Sequence, residues 1–274
     1  MRSELHGRLD GSISGQGARC DLIRDQVLAD MRVGGAWATA AFSGLRLSSR
    51  YQAIFSARDR TCIGYEGLLT GLTADQRAVA PAEIFALAAP HAKRVHLDWL
   101  SRALHLRNLR NLGDAPGLLF VNVCPSAAIE DPRFDGVFAG CMAVFGVRPE
   151  SVVVEILENH SADEARLAEA AELYRSLGCT VAIDDFGAGY SEIERVRRLR
   201  PDIVKIDRAA IAAAAQTAAA LQSLQGTVRM LHDCGARVVI EGIETAQHEQ
   251  IAGECGADFL QGYYLARPGL ARVA

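Results

Sequence analysis

Residues 179–187 read Cys-Thr-Val-Ala-Ile-Asp-Asp-Phe-Gly, an apolar, β-branched run that ends on two adjacent carboxylates, Asp184 and Asp185. The same habit recurs along the chain. Runs end at Glu66 (CIGYEGLL), Asn122 (LLFVNV), Glu155 (SVVVEIL), Lys205 (DIVKID), Glu241 (RVVIEG) and Gln261 (DFLQG), and helix-like segments follow. Near-continuous Val/Ile/Leu runs mark strands buried on both faces of a parallel sheet. A polar group at the same end of each run is where the strands leave the core for a shared mouth, the place where a closed β/α barrel carries its chemistry.

Working outward, strands are predicted near 117–123, 151–157, 179–184, 202–206, 236–241 and 258–261. Helices are predicted near 134–146, 163–177, 191–199, 213–234 and 245–255. Such alternation implies right-handed βαβ units. Upstream, YQAIF and CIGYEGLL around the turn Arg58–Thr61 read as a hairpin, and Pro81 opens a helical stretch through Trp99. The strand count reaches about eight. The fold expectation is therefore α/β, a TIM-like (βα)8 barrel over residues 46–274 with an N-terminal hairpin strand. Residues 1–45 form a short N-terminal extension containing a helix candidate, CDLIRDQVLADM.

The 274 residues suffice for one barrel and leave no room for a second full domain. Half the residues are hydrophobic and 23% are charged, as in an ordinary globular protein. A net charge of -4 gives no general basic field, so duplex nucleic acid is not an expected partner. The seven cysteines are scattered with no C-x-x-C pair, and no apolar N-terminal leader or membrane span is read. A cytoplasmic protein with reduced thiols is the expectation.

Glu66, Asn122, Glu155, Asp184, Asp185 and Glu241 place five carboxylates and an amide oxygen on one rim. That many acids in a low-dielectric mouth would raise one another's pKa unless a cation compensated. All-oxygen ligands suit Mg²⁺ or Mn²⁺, since no Cys or His ends a strand to favour zinc. The adjacent Asp184 and Asp185 could serve two ions about 3.5–4 Å apart, as two-metal phosphoryl-transfer sites do. Lys205 alone would read equally as an ion-pair partner or a Schiff-base lysine, and the surrounding acids favour the metal reading. Asp185-Phe186-Gly187 lacks the glycine-rich loop and H-R-D of a kinase. Arg195, Arg197, Arg198 and Arg200 read as a solvated helix face.

Several motifs in register resemble the EAL-domain cyclic-di-GMP phosphodiesterases over about residues 45–270. They are Glu66-Gly67-Leu68, Val121-Asn122-Val123, Glu155-Ile156-Leu157-Glu158, Asp184-Asp185-Phe186-Gly187-Ala188-Gly189-Tyr190-Ser191, Lys205-Ile206-Asp207, Glu241-Gly242-Ile243-Glu244-Thr245 and Gln261-Gly262-Tyr263. The resemblance implies a barrel of the EAL type that hydrolyses cyclic-di-GMP to linear pGpG with two Mg²⁺ or Mn²⁺ ions. It implies Glu66, Asn122, Glu155 and Asp184 around one ion, and Asp184, Asp185 and Glu241 around the other. Glu66, Lys205 and Glu241 are implied in catalysis, Lys205 through the attacking water. Glu158, counted with them, steadies the loop from Asp185 to Ser191. Gln52, Leu68, Asp207 and Gln261 are implied in substrate contact. Expected partners are cyclic-di-GMP, a second copy of the chain and a regulatory protein.

Two departures stand out. The family signature Glu-Ala-Leu-x-Arg reads Glu66-Gly67-Leu68-Leu69-Thr70 here. Gly67 for alanine is mild, whereas Thr70 supplies neither the charge nor the fork of the family's phosphate-contacting arginine. That loss keeps open an alternative, a catalytically weak cyclic-di-GMP receptor that signals through a partner.

Overall fold

The computed structural model describes residues 10–88, 91–113, 117–124, 135–156, 164–187 and 192–270. Its barrel strands are β3 (Leu45–Ser56), β4 (Cys62–Leu72), β6 (Leu118–Val123), β7 (Val152–Ile156), β8 (Thr180–Phe186), β9 (Ile203–Ile206), β10 (Arg237–Ile240) and β11 (Phe259–Leu260). They run in the order β3-β11-β10-β9-β8-β7-β6-β4, and pairing of β4 with β3 closes the ring. β3 is antiparallel to both neighbours, and the other barrel pairings are parallel. The hairpin expectation thus becomes one reversed stave in an otherwise parallel barrel.

A seven-residue apolar layer, Ile54, Phe120, Val153, Ala182, Ile203, Val239 and Phe259, fills the barrel. On the parallel strands the mouth residue follows two positions later: Phe120 then Asn122, Val153 then Glu155, Ala182 then Asp184, Ile203 then Lys205, Val239 then Glu241, Phe259 then Gln261. On the reversed β3 the order inverts, with Gln52 before Ile54. Alternate residues of a strand share a face, so packing the layer also aims the polar residues at one mouth. The opposite faces, such as Val121, Val154, Val181 and Val204, pack outward in the larger core beneath the helices.

That outer ring consists of α2 (Pro81–Ala86), α3 (His91–Leu109), α4 (Asp135–Phe145), α5 (Glu164–Ser176), α6 (Glu192–Leu199), α7 (Arg208–Ala214), α8 (Ala218–Asp233) and α9 (Ala246–Glu254). Before the barrel come α1 (Asp10–Asp30), β1 (Met31–Gly34) and β2 (Trp37–Phe42), and after β4 the short β5 (Ala78–Val79).

Several expectations need correction. The stretch from Pro81 is two helices, α2 and α3, rather than one. The expected helix 213–234 is also two, because Thr217 adopts an extended conformation and caps α8 by accepting from the Ala220 N–H. The Trp37 region, given no element from the sequence, is strand: β1 and β2 extend the sheet on β3, through a Ser43-Gly44 turn with φ of 46° and 80°. Glu66 does not end its strand, since β4 runs to Leu72; only Gly64–Gly67 pair with β6, so Glu66 marks where β4 leaves the barrel ladder. Arg195 is not solvated. It is buried on α6 beside Val196 and Leu199, with Nε 3.7 Å from Glu164 Oε1.

Candidate functional site

Lys205 stands at the centre of the mouth. Its Nζ lies 2.7 Å from Glu241 Oε1, 2.9 Å from Glu155 Oε1, 3.0 Å from Asp184 Oδ1 and 3.4 Å from Glu66 Oε2. An ammonium has three N–H bonds, so it cannot satisfy four carboxylates. Glu155, fully buried, has no hydrogen bond of acceptable geometry to either oxygen, and the same holds for Asp184 Oδ1 and Asn122 Oδ1.

The charge balance shows in the proton affinities. Burial, opposed by Lys205 and reinforced by Glu66 and Asp184, raises the Glu155 carboxyl well above the ordinary range. Burial likewise pushes Glu241 up to about 8 against the pull of Lys205. Asp185 is raised by desolvation and by Asp184. Burial alone would lower Lys205, but Asp184, Glu155, Glu241 and Glu66 outweigh it and hold the ammonium protonated.

Asp184 and Asp185 reach the same site through a backbone irregularity. Neighbours on a regular strand point to opposite faces. Here the β8–β9 register shifts between Ile183 and Phe186, and Asp185 sits at φ 57°, a left-handed conformation uncommon outside glycine. As a result one oxygen each from Asp184, Asp185 and Glu241 lie within 4.8 Å of one another, as do one each from Glu66, Glu155 and Asp184. Asp184 belongs to both groups. Surplus buried oxygen lone pairs, raised carboxyl pKa values and a shared carboxylate together form a donor set that fits two hard divalent cations.

Amides brace the rim. Asn122 Nδ2 donates to Glu66 Oε1 at 3.0 Å, and Gln261 Nε2 donates to Glu66 Oε2 at 2.6 Å, so Glu66 is held on both sides. Gln52 lies beside Gln261 and donates to the Ala266 carbonyl at 3.2 Å. Glu66, Gln52 and Gln261 border a cavity of about 300 Å³ that also includes Asp207, Arg208, Glu244 and Tyr263, whereas Asn122 lines a neighbouring one. Asp207 additionally caps α7 by accepting from the Ala209 N–H at 2.9 Å. Leu68 is not in this cavity. It lines a second one of about 590 Å³, whose wall also includes Asp184 and Asp185. Glu158 and residues 188–191 of the loop after β8 lie outside the described residues.

Sequence reading overlooked Arg208 and Glu244 on the rim, though one signal was available in Gly242. At φ 67° a β-carbon there would meet Arg208 Cβ at 2.2 Å, so the glycine after Glu241 lets Arg208 press against that strand end.

The comparisons agree with this geometry. The EAL domain model matches residues 36–268. An uncharacterised protein of Azorhizobium caulinodans is 31% identical over 229 residues, covering 81% of this chain and 31% of that protein. The cyclic di-GMP phosphodiesterase NbdA of Pseudomonas aeruginosa is 29% identical over 231 residues, covering 81% of this chain and 29% of NbdA. The chain thus spans about a third of the length of these relatives. Among solved structures, the manganese and cyclic-di-GMP complex of Klebsiella pneumoniae BlrP1 superposes with a TM-score of 0.74 at 26% identity, over 81% of this chain and 56% of that one. With a closed barrel, a mouth of acids around one lysine and a family match over most of its length, the chain belongs to the EAL domain family.

Proposed function

We propose that the chain is a metal-dependent phosphodiesterase that hydrolyses cyclic-di-GMP to linear pGpG. The observation that carries this reading is Asp184, whose carboxylate is common to two clusters of acid oxygens. Glu66, Asn122, Glu155 and Asp184 would hold one ion, and Asp184, Asp185 and Glu241 a second, Mg²⁺ or Mn²⁺ by the hardness of the donors. Bound there, divalent ions lower the pKa of water and offset phosphate charge.

The chain's own groups do the rest. Lys205, held protonated among the acids, donates from Nζ to the attacking water and orients it. Gln261 and Gln52 offer amide groups on the far side, Asp207 contacts substrate from the rim, and Leu68 supplies an apolar wall for a purine. Glu158 is assigned to steadying the loop after Asp185. Water adds across one phosphodiester: a P–O bond forms, the P–O3′ bond breaks, and the 3′ oxygen leaves with a proton while phosphate stays on the 5′ oxygen. With this reading go a barrel of residues 46–274 carrying an extension of residues 1–45, a cytoplasmic site of action, a homodimer and a regulatory protein. Among the described residues no helix is long and apolar enough to cross a membrane.

The test is release of pGpG from cyclic-di-GMP by the full chain with Mn²⁺ or Mg²⁺, abolished by excess EDTA. Full turnover in EDTA overturns the metal reading. One observation favours a second reading, a weak receptor: residue 70 is threonine, without a guanidinium to hold phosphate.

A further inference from the structure

A buried ion pair anchors the strand exit that carries Asn122. Asp98 and Arg102, one turn apart on α3, are ion-paired with side chains only 2% and 1% exposed. The Arg102 guanidinium lies 4.1 Å from the Trp99 ring centroid and 5.2 Å from that of Phe138 on α4, and its Nη1 donates to the Tyr174 hydroxyl on α5 at 3.1 Å. Three helices therefore fix one guanidinium, and the guanidinium fixes Asp98 Oδ2. The other oxygen, Asp98 Oδ1, accepts the Cys124 N–H at 2.9 Å, just past the end of β6 and two residues beyond Asn122. On this side the exit borders the 590 Å³ cavity, lined by Asp98, Asn122 and Cys124.

Burying a charge pair is costly, and apolar residues of the same volume often stabilise a core as well or better. The geometry points to a different role. We propose that Asp98, oriented by Arg102, is a positioning residue that pins the β6 exit at Cys124 and so sets Asn122 for metal binding. This rests on the metal reading of the mouth. Residues that orient metal ligands from behind typically contribute about ten- to a hundredfold in affinity.

The experiment is titration of the metal-stripped full chain with Mn²⁺ alone, with thermal unfolding measured alongside. Asp98→Asn/Arg102→Met keeps an acceptor of the same reach and removes both charges; its Mn²⁺ affinity is expected within about threefold of the parent. Asp98→Leu/Arg102→Met removes the acceptor without leaving a lone charge; it is expected to bind Mn²⁺ about ten- to a hundredfold more weakly while unfolding as cooperatively as the parent. Parental affinity in a folded Asp98→Leu/Arg102→Met, or an equal loss in both variants, overturns the proposal. If the leucine form does not fold, Asp98→Ser/Arg102→Met, whose hydroxyl is too short to reach Cys124, decides in the same way. A parent that binds no Mn²⁺ overturns the metal reading, and the positioning role with it.

Discussion

The imidazole of His105 occupies the space that a β-carbon on Gly67 would need: that atom would lie 2.7 Å from His105 Cγ. The ring is pinned, with Nδ1 2.8 Å from Ser49 Oγ and Nε2 3.2 Å from Ser101 Oγ, and Tyr51 donates its hydroxyl to the His105 carbonyl at 2.6 Å. The glycine between Glu66 and Leu68 is thus matched to a histidine on α3. Gly67→Ala alone is expected to destabilise the protein by about 1–3 kcal/mol through overpacking. In the background His105→Ala the same change should cost much less, giving a coupling above about 0.5 kcal/mol in a denaturant double-mutant cycle. Additive effects would show that the two positions do not compete for space.

The same histidine sets a pH dependence. Burial pushes the His105 imidazole down to about 3. Unfolded, it titrates near 6.5. Above that value both states are neutral and no stability is lost. As the pH falls, the unfolded chain takes up a proton that the native state refuses until about pH 3, so stability drops by about 1.4 kcal/mol per unit. Between pH 7.5 and 5, measured in EDTA, the parent should lose about 2 kcal/mol more than His105→Gln. The buried carboxylates titrate in both proteins, so the difference isolates the imidazole. A flat difference curve would refute the assignment.

How far the site was legible in the sequence follows from period two. Phe120 and Asn122, Val153 and Glu155, or Val239 and Glu241 stand two apart, so an apolar layer and its polar rim could be read off each run. Asp184 and Asp185 could not be resolved that way, because adjacent strand residues diverge; their convergence needs the register shift and the left-handed φ of Asp185, which no local pattern announces. The expected helix 213–234 reads as one because its alanines suit a helix everywhere, and only Thr217 marks the break. Arg195 misled for the opposite reason: charge suggests solvent, whereas helical spacing places it with Val196 and Leu199.

Lys205 neutralises part of the acid cluster, so its removal should have two separable effects. In metal-free protein, Lys205→Met leaves fully buried Glu155 without its cation and is expected to cost about 3 kcal/mol in unfolding free energy. Saturating Mn²⁺ should recover more stability in the variant than in the parent, because the ions take over the charge balance. On the proposed mechanism, in which the ammonium acts on the water, the hydrolysis rate should fall at least about a hundredfold, with cyclic-di-GMP affinity kept within about threefold. An unchanged rate would remove Lys205 from the mechanism.

Thr70 separates enzyme from receptor. Along β4, Glu66, Leu68 and Thr70 stand two apart and share a face, and Thr70, half-buried, pairs with Ser48 on β3. A guanidinium at position 70 would therefore join the rim beyond Glu66 without entering the acid clusters. A charge-assisted phosphate contact of this kind contributes roughly 1.5–3 kcal/mol, about ten- to a hundredfold in affinity. If that contact acts mainly on ground-state binding, the natural chain has a high KM with a sound kcat, and Thr70→Arg lowers KM by that factor while leaving kcat and the Mn²⁺ requirement unchanged. Steady-state rates of both forms, with binding measured separately, decide the matter. Tight binding by the natural chain with negligible turnover in Mn²⁺, and no response of either quantity to Thr70→Arg, would replace the enzyme reading with the receptor.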